Sequence, residues 1–471
     1  MNDLEEESIL KGKRIITLTL GCKVNQYETD GMRELLEDNG CIFVENDQQA
    51  DICLVNTCSV TNMAERKSRQ MLHRVKRQNP RAVVAAAGCY VQAAPREVLE
   101  DLSVDLIIGN HEKQDIVNIL TEYLKNRINK EEQRNQTQST GDTITKKEAV
   151  ETDALESRKE CSSWIDLKLT RMSEHTRAYI KIQDGCNQFC SYCIIPYVRG
   201  RICSREPEDV LAEVQRLADT GCKEVVLTGI HLSSYGRDWG TEMDGSALLE
   251  LIRRISQIEH IARIRLGSLE PRIITTDFVS VLKQYPKVCP HFHLSLQSGC
   301  NETLKRMNRK YTIEEYRESC RILREAYDRP ALTTDIIVGF PGETQEEFDT
   351  TCRNLEELNL YEMHVFKYSR RKGTVADRMP DQVSEAEKNR RSDRLLAMTA
   401  KQKQAYEDSF RGKRVQVLVE EQCEKKDETG WRNEKVEKDG KDWYSGHTER
   451  YIRVEVQSEQ NLVNCMTETV L

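Results

Sequence analysis

Six of the 17 cysteines in this 471-residue chain stand where thiolates could act together. Cys186, Cys190 and Cys193 form a C-x3-C-x2-C loop directly after the apolar run AYIKIQ. Three thiolates on so short a loop can hold three irons of a four-iron, four-sulfur cluster and leave the fourth open to another ligand. A structural zinc ion normally takes four protein ligands, and no further Cys or His lies close by in the chain, so zinc and inert thiols are the alternatives. Cys22, Cys58 and Cys89 end the runs TLTLGC, ICLVNTC and VVAAAGC. In an open parallel sheet the strand C-termini share one edge, so these three can meet despite their separation in sequence. Cys41, Cys53 and Cys222 lack such a strand-end position and read as buried core thiols.

The elements that must carry these residues follow from the alternation of apolar runs with helical patterns. Over residues 11–124 the runs IITLTL, DICLVNT, VVAAAG and DLIIG are separated by helical stretches near 27–39 and 63–78, which predicts an α/β domain with a parallel sheet. Residues 125–171 are polar and repetitive and read as a solvated linker and lead-in. Residues 172–405 hold six further strand runs separated by helical segments, the pattern of a partial barrel with its chemistry at the strand C-terminal ends. Residues 407–471 read as a small antiparallel β-barrel. Hydrophobic residues make up 38% of the chain and charged ones 31%. No apolar run approaches the length of a membrane helix, roughly 18 residues or more. The opening MNDLEEESILKGK lacks the basic-then-apolar order of an export signal, so a cytoplasmic protein is expected. Net charge is −8, so any nucleic-acid contact must come from local basic patches.

The loop DGCNQFCSYCIIPYVRGR within a six-unit barrel resembles the radical S-adenosylmethionine (SAM) superfamily. That resemblance implies a cluster whose open iron binds SAM and reduces it to a 5′-deoxyadenosyl radical. It further implies that Tyr192 lies against the adenine, and that Thr228 and Gly229 cup the methionine amino group. Ser268, Glu270, Ser295 and Gln297 are implied at ribose and carboxylate, with Asp335 and Gly339 near the adenine. Together with TLGCKVNQYET, NTCSVT and AAGCYVQ, the loop resembles the methylthiotransferases over nearly the whole chain. In that family Cys22, Cys58 and Cys89 would ligate a second four-iron cluster, whose accessory sulfur is methylated by one SAM and inserted at a C–H bond activated with another. An electron donor and a sulfur source would be needed from outside.

The substrate implied by the resemblance is transfer RNA at its anticodon loop, where a base can leave its stack at low cost. GCKVNQYET is similar to the branch acting on N6-threonylcarbamoyladenosine, while isopentenyladenosine tRNA and a ribosomal-protein aspartate are the substrates of sister branches. A zinc-containing RNA-binding protein without catalysis is the rival of a different class. The basic run ERKSRQMLHRVKRQNPR, with Arg66 and Lys67, is expected to meet phosphates. Arg199, Arg201, Arg306, Arg370 and Arg371 are expected to present cations at the substrate mouth. The C-terminal piece resembles a small RNA-binding barrel, with Arg411, Lys413 and Arg414 as contacts and Tyr444 or Tyr451 stacking on bases.

Overall fold

The computed structural model describes residues 9–45, 49–136, 164–171, 176–242, 244–423 and 442–471. The N-terminal sheet is wholly parallel, in the order β2 (Ile42–Phe43), β1 (Arg14–Thr19), β3 (Ile52–Thr57), β4 (Val83–Gly88), β5 (Leu106–Ile108). β3 and β4 are buried at every position, as continuous apolar runs must be when helices cover both faces of a parallel sheet. α1 (Lys23–Asp38), α2 (Asn62–Gln78) and α3 (Cys89–Ala93) each start within a few residues of a strand end that bears a cysteine.

The expected end of this domain at 124 is too early, because the helix Ile116–Gln136 continues past it. The lead-in is not all solvated either: Ile165, Leu167 and Leu169 are buried, and the Tyr27 hydroxyl donates to the Leu167 carbonyl. The rest of the polar run lies outside the described residues.

Six parallel strands build the central unit: β6 (Arg177–Asp184), β8 (Glu224–Gly229), β9 (Arg263–Leu266), β10 (His291–His293), β11 (Ala331–Val338) and β12 (Glu362–Lys367). β7 (Cys203–Ser204) adds an antiparallel edge to β6. β9 and β10 are joined by isolated parallel bridges, Ile264 to Val288 and Leu269 to Leu294. Among the described residues β6 and β12 do not pair, so the barrel is open and α1 packs beside β6.

The last four strands, β13 (Arg414–Cys423), β14 (Asp442–Thr448), β15 (Arg453–Ser458) and β16 (Met466–Val470), form an antiparallel sheet in the order β15-β14-β13-β16. This sheet is bolted to the barrel by buried arginines. Arg263 donates to the His447 and Gln416 carbonyls, and Arg265 donates to Glu449 and Thr448 carbonyls while paired with Glu224. The expectation that Tyr444 or Tyr451 stacks on bases fails here. Tyr444 belongs to the sheet's own core, and Tyr451 stacks on His447 and packs tilted against His291, with Arg177 and Arg265 over its ring. Arg411 pairs with Asp408 and Lys413 lies over Phe410.

Candidate active site

The barrel triad is held by a loop with no slack. Gly185 has φ +67, and a Cβ there would lie 1.8 Å from the Arg201 carbonyl. Only glycine therefore lets the loop leave β6. The loop is then tied to the segment after the helix Asn301–Arg306. Ser191 donates from N and Oγ to the Met307 and Arg306 carbonyls, and Asn308 donates to the Phe189 carbonyl.

Cys186, Cys190 and Cys193 line one cavity of about 140 Å³ together with Gln188, Tyr192, Ile195, Ile230, His231, Ser268, Leu269, Glu270, Ser295, Gln297 and Arg309. Two residues of this region, Phe189 (φ 49) and Gln297 (φ 73), hold left-handed backbone, which persists only where surrounding packing enforces it.

Five of the nine sequence-predicted SAM residues, Tyr192, Ser268, Glu270, Ser295 and Gln297, therefore meet at the thiols. Thr228 and Gly229 end β8 without lining the cavity, Thr228 being buried and Gly229 packed against Gln183. Asp335 faces His293 at 3.4 Å, and Gly339 donates its N–H to Glu343; neither lines the cavity.

Sequence reasoning missed Gln188, His231 and Arg309. Gln188 lies inside the cysteine loop and His231 two residues beyond the β8 end, which were usable signals. Arg309 has no strand-end or loop position to mark it, yet its Nη1 is 3.2 Å from Cys190 Sγ.

The electrostatics suit a cationic core bound by thiolates. Burial pushes the Cys186 thiol up to about 11 and Cys193 higher still, with neighbouring thiolates adding to the rise and Arg309 opposing it. Buried thiols of this kind ionise on binding metal, with release of protons. Burial would also raise Glu270, but hydrogen bonds from His231 (3.1 Å) and Arg272 (2.6 Å) outweigh it and hold the carboxyl at about 2. Glu270 also accepts from Gln188 at 3.1 Å, so a fixed carboxylate, an amide and an imidazole face the thiols. That donor and acceptor set fits an amino-acid head group.

The second triad sits across α1. Cys22 is the N-cap residue of α1 but its side chain makes no cap bond, so the thiol is left for other work. Asn25, one turn on, donates to the carbonyls of Leu20 and Thr57 and so ties the Cys22 loop to the Cys58 loop. A Cβ on Gly21 (φ +109) would lie 2.8 Å from Cys58 Sγ, and one on Gly88 (φ +97) would lie 2.4 Å from the Thr57 carbonyl. Glycine at both positions is what lets the three strand ends approach. The charges of the three thiols act on one another, and burial pushes Cys58 up to about 11. Among the described residues no three His, Cys, Asp or Glu converge on a site for a single metal ion.

The expected ring of substrate-facing arginines is mostly committed elsewhere. Arg199 is buried between Glu28, Asp184 and Asn25. Arg371 is buried and pairs with Glu65 and Asn62, joining the barrel to α2. Arg306 pairs with Glu347 at 2.5 Å and Arg370 with Asp377 at 3.0 Å. Arg201 stays exposed, over the Phe189 ring. On α2, Lys76 pairs with Asp105 and Arg69 covers Tyr90, but Arg66, Lys67, Arg74 and Arg77 are exposed. Arg66, Gln70, Arg74 and Arg77 recur at helical spacing on one face, and the last three line a surface groove with His73 and Ser103.

Comparison with known proteins agrees with this geometry. The Radical SAM superfamily matches residues 180–355, and the uncharacterized protein family UPF0004 matches residues 14–109. The chain is 36% identical over 445 residues to the threonylcarbamoyladenosine tRNA methylthiotransferase MtaB of Bacillus subtilis (strain 168), covering 94% of this chain and 90% of that one. It is 36% identical over 404 residues to the protein of the same name from Aquifex aeolicus (strain VF5), covering 86% and 92%. It is 35% identical over 430 residues to the tRNA-2-methylthio-N(6)-dimethylallyladenosine synthase of Thermoanaerobacter sp. (strain X514), covering 89% and 85%. Among solved structures, the radical S-adenosylmethionine methyltransferase TsrM of Kitasatospora setae superposes with a TM-score of 0.56 at 15% identity, covering 78% of this chain and 77% of that one, a likeness of fold.

Proposed function

Because the chain belongs to the radical SAM tRNA methylthiotransferases, enzymes that use SAM and two [4Fe-4S] clusters, we propose that it inserts a methylthio group at C2 of N6-threonylcarbamoyladenosine beside the tRNA anticodon. When bound, the barrel cluster and SAM supply a hydrogen-abstracting radical, and the N-terminal cluster supplies the sulfur. The remaining work is the chain's own. Cys186, Cys190 and Cys193 hold one centre and Cys22, Cys58 and Cys89 the other. Gln188, His231 and Glu270 fix the head group of SAM, and Tyr192, Ser268, Ser295 and Gln297 shape the cavity around it. Arg309 keeps Cys190 oriented.

The observation that carries the choice of base is Lys23. It follows Cys22 directly, has a side chain that solvent reaches although protein surrounds most of its ammonium, and makes no side-chain hydrogen bond or ion pair among the described residues; its Nζ rests 6.0 Å from the Tyr179 ring centroid. Desolvation by the protein around it, with the charges of Arg265 and Arg177 adding to the effect, lowers its ammonium to about 8, and an arriving carboxylate would favour the charged form. A threonylcarbamoyl group brings such a carboxylate and a hydroxyl, whereas an isopentenyl tail needs an apolar slot. Arg201, exposed over the Phe189 ring and without an ion pair among the described residues, is a further cation for that carboxylate. The exposed arginines of α2 meet the RNA phosphates, an electron donor and a sulfur source act in trans, and the reaction takes place in the cytoplasm with the tRNA. The boundaries 11–124, 172–405 and 407–471 serve as first estimates for the three units, with the helix to Gln136 added to the first.

The test is reconstituted enzyme on matched tRNAs, with nucleoside mass spectrometry. Turnover on threonylcarbamoyl-tRNA with almost none on isopentenyl-tRNA is expected. Comparable turnover on isopentenyl-tRNA would overturn the substrate while leaving the family chemistry intact.

A further inference from the structure

The barrel lends a residue to the N-terminal triad. Arg199, on the loop after the short helix Ile195–Val198, reaches out of the barrel unit and is 3% exposed. Its Nη1 donates to Glu28 at 2.8 Å and to Asp184 at 3.1 Å, and its Nη2 donates to Asn25 at 2.8 Å. Lys113 and Lys181 also converge on Glu28, at 2.5 and 2.8 Å. These buried groups comprise three cations, Lys113, Lys181 and Arg199, against two carboxylates, Glu28 and Asp184, which leaves one positive charge over. An uncompensated charge in such a place is costly, so a negative partner must be near. Asn25, which accepts from Arg199, is the residue that ties the Cys22 loop to the Cys58 loop, and the thiols of Cys22, Cys58 and Cys89 are among the groups that feel the Arg199 charge. A four-iron core of charge 2+ on three thiolates carries net −1 and balances the surplus.

Independent of charge, polar atoms are orphaned here. Arg199 Nε and Ser59 Oγ are buried and have no hydrogen-bond partner among the described residues. Ser59, fully buried, directly follows Cys58. Buried donors left unpaired are expensive, and natural proteins keep them where a ligand completes them.

We propose that Arg199 and Ser59 are positioning residues for the sulfur-bearing centre. Arg199 Nε–H and the Ser59 hydroxyl donate hydrogen bonds to its sulfur atoms, and the radical-forming unit supplies the cation on which that centre depends. This rests on the second cluster, not on the identity of the modified base. It goes beyond ligation by the three cysteines, because it makes the electronic state of one centre depend on a residue carried by the other unit.

The experiment uses the full chain with Cys186, Cys190 and Cys193 replaced by Ala, so that anaerobic reconstitution loads the N-terminal centre alone. Hydrogen bonds to cluster sulfur raise the reduction potential. Ser59→Ala should therefore lower the reduction equilibrium about tenfold, read as a midpoint about 59 mV more negative in an EPR-monitored titration of a one-electron couple. The urea midpoint of the metal-free chain should not move, because no group among the described residues accepts from that hydroxyl. Arg199→Lys keeps the charge but loses Nε–H and should also lower the midpoint. An unchanged midpoint in S59A, or a lowered urea midpoint of its metal-free form, would overturn the role of Ser59. An unchanged midpoint in R199K would overturn that of Arg199, and if R199K fails to load iron the S59A comparison decides the proposal.

Discussion

Glu28→Gln removes one charge from the centre of a buried ion network with almost no change in shape. The Glu28 carboxylate is fully buried and accepts from Lys113, Lys181 and Arg199, three residues on three separate segments. The substitution keeps the volume and removes the charge, so three buried cations are left with Asp184 alone. Removing one partner of a buried ion pair costs about 3–5 kcal/mol, against a typical domain stability of about 5–15 kcal/mol. Burial by itself would raise the Glu28 carboxyl, but the three cations outweigh it and hold it well below the ordinary range.

A depressed carboxyl contributes stability that is present above its unfolded pKa and lost as pH falls through its folded one. The difference between the parent and E28Q should accordingly be constant from about pH 8 to pH 5 and shrink only in stronger acid, below the usual glutamate range. The assay is urea unfolding of the metal-free chain, followed by circular dichroism, across that pH series. A double-mutant cycle with Lys181→Met should give a loss smaller than the sum of the two. A difference under about 1 kcal/mol at pH 7 would refute the reasoning, because the network would then be worth no more than surface pairs.

Three further outcomes are expected. Anaerobic reconstitution should load about eight irons per chain and about four after either Cys190→Ala or Cys58→Ala; C190A should lose reductive SAM cleavage, while C58A keeps it and loses methylthiolation. Gly185→Ala should prevent loading of the barrel centre, since its Cβ would meet the Arg201 carbonyl at 1.8 Å; normal iron content would contradict the loop geometry. Replacing Arg66, Arg74 and Arg77 of α2 with Glu should weaken binding of an anticodon stem-loop by fluorescence anisotropy and flatten its salt dependence by about one unit of slope per lost phosphate contact; an unchanged slope would remove α2 from the RNA interface.

The positions of the two cysteine triads, one around the barrel cavity and one at the strand ends of the N-terminal sheet, were legible in the sequence because each is fixed locally. A C-x3-C-x2-C loop sets its own spacing, and a cysteine that ends an apolar run is delivered to the sheet edge by the strand itself. The order of the six barrel strands and the helices between them followed from the same periodicity, and α1 and α2 fall within a few residues of their expected bounds. What the sequence could not show is which charges meet. Arg199 and Arg371 read as surface cations because arginine usually is one. Each is buried against carboxylates from another part of the chain, Glu28 and Glu65, contacts spanning 171 and 306 residues. Tyr451 read as a base-stacking surface ring and is instead the plug between two arginines and two histidines. Periodicity encodes which face of an element is apolar, and so yields strands, helices and strand-end thiols. The partner of a long polar side chain depends on how separate units dock, and that is decided only when tertiary structure excludes water and forces each buried charge to find its opposite.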